Sequence, residues 1–289
     1  MALETSPRVR IRATGFVTLL VIFLWMPIFS LVLASFNASR FFRFPFDSWT
    51  TEWYEQATTA TTPRVLLGTS VRMAIVVTIA STVLGFISAM AFAGHQWRGR
   101  RTFQRVILLP LFLPQTVLGL ALLLWFNQLN IAPTWKTAAF AQTVWITPVV
   151  TVVIAIAIYG LDQEQRSAAY DLGASKLRTF AEITIPPLIP AIRSGALFAF
   201  ILSWVNLSLS TYTTGADASI PEWIQAKALG GYTPLVPSIG VLSFVLPAVT
   251  VGGILLLTQL VRAARHVNAS ILKSDSMQQR TDALKGPSN

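Results

Sequence analysis

A chain of 289 residues that is 53% hydrophobic and only 12% charged carries too few charges to coat a soluble globule, where about 25% is usual. Its formal net charge of +10 invites a nucleic-acid partner, yet no basic stripe interleaved with aromatics occurs, and that class is set aside. The absence of cysteine excludes disulfides and thiolate metal sites.

The charges are segregated along the chain. Six stretches contain no Asp, Glu, Lys or Arg: 13–39, 73–97, 106–135, 137–161, 194–216 and 228–261. About 20 apolar residues in a helix cross the ~30 Å hydrocarbon core of a bilayer, and each stretch exceeds that. The predicted spans lie near 14–36, 70–93, 106–127, 138–160, 193–214 and 238–261, which makes this an all-α membrane protein of six transmembrane helices. If both termini are cytoplasmic, 16 of the 22 Lys and Arg residues fall inside and Arg40, Arg43, Arg64, Arg72, Lys136 and Lys227 remain outside. That is the positive-inside bias.

The cytoplasmic N-terminus, 1–13, carries Arg8, Arg10 and Arg12 ahead of the first apolar run. The run is longer than a signal peptide's and lacks a small-residue cleavage site, so a retained helix is expected. Residues 14–66 comprise this first helix and an external loop in which Trp49, Trp53 and Tyr54 are suited to the headgroup level. A core, 67–262, holds helices two to six. In the second, Ser81, Gly85 and Ala89 recur at fourfold spacing, a packing face for a close neighbour. The turn Trp97, Arg98, Gly99, Arg100, Arg101 reads as topogenic charge or as a docking patch. Pro110, Pro114 and Pro148 are expected to kink the third and fourth helices. The tail, 263–289, is polar and aperiodic.

Between helices four and five, the cytoplasmic segment 161–192 includes EQRSAAYDLGASKLRTFAEITIPPLIP at 164–190. Ser167 to Leu172 suit a short helix, and Gly173 can take positive φ at its end. Ser175 can cap a second helix whose apolar residues Leu177, Phe180, Ala181 and Ile183 gather on one side. Pro186 and Pro187 are expected to stop it. Such an amphipathic hairpin has no apolar partner within the chain, so it either lies on the membrane or is covered by something soluble.

The order Ala168, Ala169, three residues, Gly173, nine residues, Ile183, one residue, Ile185, Pro186 resembles the EAA loop of binding-protein-dependent ABC importer permeases. Its pattern is EAA, x3, G, x9, I-x-L-P. Two letters depart from it: Ser167 stands where the family has Glu, and Ile185 where it has Leu. The stretches at 35–40 (SFNASR), 49–54 and 171–175 (DLGAS) resemble most the second permease of spermidine/putrescine transporters. The resemblance implies a type I importer permease fold in a bacterial inner membrane, a second permease subunit, two cytosolic ATPases and an external solute-binding protein. Ser167, Ala168, Ala169, Asp171, Gly173, Phe180, Ile183 and Pro186 would couple to the ATPase, helices two to six would line the pathway, and helix one would pack around the partner. ATP and Mg would sit on the ATPase, since this chain has no Walker pattern and is expected to bind no cofactor.

An intramembrane enzyme or an ion-coupled secondary transporter needs ionisable groups at membrane depth. No acidic residue occurs between Glu55 and Asp162, and the histidines, His95 and His266, fall at helix ends. Both classes are therefore set below a transport subunit. For the path, Ser203, Asn206, Ser210 and Thr213 follow i, i+3, i+7, i+10 spacing and so share a face of helix five, with Trp204 and Tyr212 beside it and Gln115 and Thr116 near the kink of helix three. Each either hydrogen-bonds between helices or lines a wet path. The resemblance makes polyamine the expected solute, but Val205 and Asn206 depart from it where the polyamine permeases look acidic, and an opine, a phosphonate or an amino-acid derivative are the alternatives.

Overall fold

Helices follow the six apolar stretches, and two of them are interrupted, one at Pro114 and one at 205–209. The computed structural model describes residues 7–39, 48–253, 256 and 259. The tail 263–289, His266 and residues 40–47 of the external loop lie outside the described residues. Among those described, the only extended pairing is one bridge between Asn37 and Trp49.

The first span is α1 (Pro7–Ser35), followed by a short helix α2 (Glu52–Thr59) in the external loop and by α3 (Thr61–Ala93). The loop is tied down: Trp53 Nε1 donates to the Asn37 carbonyl at 2.9 Å and Tyr54 meets Ser35 Oγ. The expected third helix is not continuous. It consists of α4 (Arg100–Leu108), a 3-10 turn at Leu109–Phe112 and α5 (Gln115–Gln128), with a bend of 104° between the two parts. Pro114 is the cause, since it has no N–H to donate and holds Leu113 in the extended region. The fourth span is α6 (Trp135–Tyr159), in which Pro148 is accommodated.

Three further elements, α7 (Gln163–Asp171), α8 (Lys176–Thr179) and α9 (Ile185–Trp204), are followed by α10 (Ser210–Thr213) and α11 (Ile220–Gly230). The sixth span is α12 (Leu235–Gly253). The chain divides into two units, Met1–Val241 and Leu242–Asn289. The described part of the second is helical.

The first unit is centred on α3, α6 and α9, whose core contains Met73, Val77, Ala89, Phe92, Ile146, Val150, Ile154, Leu188 and Ala199. Val150 of α6 occupies two notches. A Cβ on Gly85 of α3 would stand 2.7 Å from Val150 Cγ1, and one on Gly195 of α9 would stand 2.9 Å from the same atom. Ser81, Gly85 and Ala89 are buried there, as a close-packing face requires. By contrast α1 is uncovered, with Phe16, Phe23 and Met26 each more than 60% exposed.

Filling the first notch should be costly. Gly85→Val is expected to lower the stability of the detergent-purified chain by about 1–3 kcal/mol, the usual range for overpacking. Adding Val150→Ala should recover part of that loss in thermal unfolding. Equal melting of Gly85→Val and the unmodified chain would refute the notch.

Candidate functional site

The segment after α6 folds as a hairpin whose residues are explained by cap chemistry. Asp162 begins α7, its Oδ1 accepting from the Glu164 N–H at 2.8 Å. At the other end the Gly173 N–H donates to the Tyr170 carbonyl and the Ala174 N–H to the Ala169 carbonyl, both at 2.9 Å. These are the two bonds of a Schellman cap, which places Gly173 in the left-handed position. Its φ is +80°, as the sequence led one to expect. Ser175 then caps α8, its Oγ accepting from the Arg178 N–H at 3.3 Å. The spacing from Ala169 to Gly173 is thus the spacing of a helix end: a small buried residue accepts the closing bond and a glycine turns the chain.

The second arm differs from expectation. Pro186 and Pro187 do not stop it. A π-type turn at Phe180–Thr184 leads into α9, and both prolines sit in the first turn of that helix, where a missing N–H costs least. The helical path therefore runs unbroken from Lys176 to Trp204, 29 residues, or about 43 Å at 1.5 Å per residue. Along the hairpin Ser167, Ala168 and Asp171 are exposed, Phe180 and Ile183 are half-buried, and Ile185 and Pro186 lie at the join. Its tip is apolar and bare, with Leu172 88% and Leu177 78% exposed. Nearby, Arg166 Nε is shielded from solvent and has no hydrogen-bond partner.

At the far end of the same helical path the fifth span breaks. It ends at Trp204, runs non-helically through 205–209 and resumes as α10, so Ser203, Asn206, Ser210 and Thr213 do not share a face of one continuous helix. They are nonetheless all buried, gathered by a residue that sequence reasoning missed. Gln142 of α6, fully buried, accepts from Ser203 Oγ at 2.5 Å and donates to Ser210 Oγ at 2.7 Å. One amide spans the break. Its signal was available, because it is a large polar residue inside the charge-free stretch 137–161.

Asn206 lies within the break. Its Oδ1 accepts from the Leu209 N–H at 3.2 Å and its Nδ2 donates to Gln115 Oε1 at 3.4 Å. Gln115 is the first residue of α5, just past the Pro114 bend, so the two interrupted spans meet at their interruptions. Thr137 Oγ1 donates to the Thr213 carbonyl at 2.7 Å. Tyr212 lies against α5, where a Cβ on Gly119 would come within 3.1 Å of its Cδ2. Trp204 is buried and stacks on Phe200 with centroids 5.9 Å apart. Thr116 is exposed and stands apart from the network. Non-helical backbone inside an apolar span survives only where protein buries it or it borders a water-filled cavity. Here Asn206 and Leu209 are buried and bonded or packed within protein, while Val205 is 60% exposed.

No group of three or more His, Cys, Asp or Glu able to hold a metal occurs among the described residues.

Comparison with known proteins identifies the architecture. Residues 81–266 match the family described as binding-protein-dependent transport system inner membrane component. The chain is 32% identical over 252 residues to the putrescine transport system permease protein PotI of Escherichia coli (strain K12), covering 84% of this chain and 89% of that one. It is 28% identical over 243 residues to the spermidine/putrescine transport system permease protein PotC of the same organism, covering 84% and 92%. Among solved structures, a bacterial ABC transporter that imports the acidic polysaccharide alginate superposes with a TM-score of 0.63 at 18% identity, covering 88% of this chain and 99% of that one. The inward-facing MetNI methionine ABC transporter superposes with a TM-score of 0.55 at 14% identity, covering 66% and 94%. With these matches spanning the hairpin and the broken spans alike, the chain belongs to the family of binding-protein-dependent transport system inner membrane components, and its part in the importer is transport rather than catalysis.

Proposed function

We propose that this chain forms one half of the transmembrane passage of an ATP-driven importer, with both termini cytoplasmic, and that the imported solute is a polyamine such as putrescine or spermidine. The observation that carries the substrate is 32% identity to a putrescine permease across most of both chains. The partners follow from the bare hairpin tip. Leu172 and Leu177 call for a soluble cover, and in this reading two cytosolic ATPases supply it, one for this chain and one for a second permease subunit. ATP and Mg belong to the ATPases, while an external solute-binding protein delivers the solute.

Coupling then has a physical route. Closure of the ATPases draws the two hairpins together, and the unbroken helical path from Lys176 to Trp204 carries the displacement to the Gln142–Ser203–Ser210 bridge. Exchange between inward-open and outward-open states takes place around that bridge.

A second reading has its own support. The groups that bond across the break are amides and hydroxyls. The acids nearest to it in sequence, Asp217 and Glu222, are engaged by the Trp135 N–H and the Thr214 hydroxyl. That environment also suits a neutral or acidic solute such as an opine, a phosphonate or an amino-acid derivative. The receptor that co-purifies with this chain separates the two. Micromolar binding of putrescine or spermidine, measured by calorimetry, supports the polyamine. No polyamine binding together with tight binding of an acid discards it.

A further inference from the structure

The helix before the first bend has the make-up of one that lies in a membrane interface. Because α4 and its 3-10 extension meet α5 at 104°, α4 lies near the membrane plane when α5 crosses the bilayer. It is amphipathic. Phe103 and Ile107 pack toward the core, while Val106, Leu109 and Phe112 are 62%, 56% and 81% exposed. Trp97 donates from Nε1 to the Ala91 carbonyl at 2.8 Å and sits 5.9 Å from the Phe103 ring. A tryptophan beside basic residues and bare apolar side chains is the pattern of an interfacial anchor.

The charge around α4 is one-sided. Arg98, Arg101 and Arg105 are at least partly open to solvent, and among the described residues the sole ion pair is Arg178 with Glu182, far along the chain. The nearest acids in sequence are Glu55 and Asp162. Arg100 donates from Nη2 to the Tyr159 hydroxyl at 3.2 Å, which ties α4 to the last residue of α6, three residues before the cap of α7. The arginines therefore stand at the hairpin end of the molecule. A largely apolar cavity of about 600 Å³ starts at Val106 and Ile107, next in sequence to Arg105, and runs between α3 and α6 past Leu84 and Val144 to Lys136 at the other end of α6.

We propose that α4 and this groove bind an anionic phospholipid, its headgroup phosphate against Arg98, Arg101 and Arg105 and an acyl chain along the groove. Arginines without a carboxylate partner supply the charge complement, and the groove supplies a slot that an ion without a tail cannot use. Only the leaflet rests on the function proposed above: with the hairpin cytosolic, it is the inner one. Arginines that merely set topology predict no preference among lipids, whereas this site does.

The test uses the assembled transporter in phosphatidylcholine vesicles containing a trace of spin-labelled phosphatidylglycerol, with spin-labelled phosphatidylcholine as reference. The wild type is expected to hold phosphatidylglycerol preferentially. The Arg98→Gln, Arg101→Gln, Arg105→Gln triple variant should weaken that preference by about fivefold for each arginine in contact. The corresponding lysine variant should keep most of it, because the site needs charge rather than a planar fork. An unchanged preference in the glutamine variant overturns the proposal. So does displacement by inorganic phosphate at an ionic strength where chloride has no effect, which would mark a free-phosphate site. Loss of a protein subunit from the variant with the lipid preference intact overturns it too, and assigns the arginines to a protein interface. Lipid selectivity is read without transport, so failure here and failure of the importer reading remain distinct.

Discussion

Transporter carrying Gly173→Leu is expected to assemble with its partners and to take up solute at about a tenth of the wild-type rate or less. Gly173 has φ +80° and nothing within 4 Å of where a Cβ would stand, so the substitution meets no clash. Its cost is conformational alone, about 1–2 kcal/mol for an L-residue in the left-handed region. That cost weakens the two closing bonds of the Schellman cap and lowers the equilibrium constant in favour of the bent hairpin by roughly tenfold. Gly173→Asn supplies the control, because asparagine tolerates this conformation, and it should retain most activity. Substrate-stimulated ATP hydrolysis and uptake in proteoliposomes measure both. Wild-type rates for the leucine variant would show that the bend transmits nothing.

Gln142→Leu is expected to strike at the other end of the same helical path. It removes one amide and strands two buried hydroxyls, on Ser203 and Ser210. Each hydroxyl can fall back on a carbonyl of its own backbone, so the net loss should be about 1–3 kcal/mol, below the sum of two isolated buried bonds. Uptake should fall as well, since the bridge spans the non-helical stretch 205–209. Gln142→Glu separates positioning from mere filling. A protonated carboxyl can donate to one serine and accept from the other, while an ionised one can only accept. Uptake by Gln142→Glu relative to wild type should therefore be higher in acid, where the carboxyl can hold both serines, than in alkali, where it can only accept. A flat ratio would count against the bridge.

The six spans were legible because an apolar, charge-free run of membrane length is stable in hydrocarbon and costly to hold in water. The hairpin was legible because Gly173 and Ser175 are cap residues at cap spacing. Breaks were harder. Pro114 signalled a kink, but nothing local distinguishes a kink from a turn of 104°. At Pro186 and Pro187 the usual reading of a proline pair as a stop failed, because the preceding π-type turn leaves both residues in the first turn of a new helix. The fifth span broke at 205–209 with no Gly or Pro to mark the place. Its interruption is held by Gln142, which lies 61 residues from Ser203, and a pairing at that separation does not appear in the periodicity of either segment. Asn206 was singled out for the path on the assumption of a helix face that does not exist, and the structure shows it buried within the break.

The seating of Val150 against Gly85 and Gly195 limits what can slide. With a branched side chain wedged between two bare backbones, sliding of α3, α6 or α9 past one another at that level drives Val150 against a neighbouring backbone. A displacement applied at the hairpin end is therefore expected to move the three helices together at that level, leaving the non-helical stretch 205–209 as the place where the chain beyond Trp204 can bend.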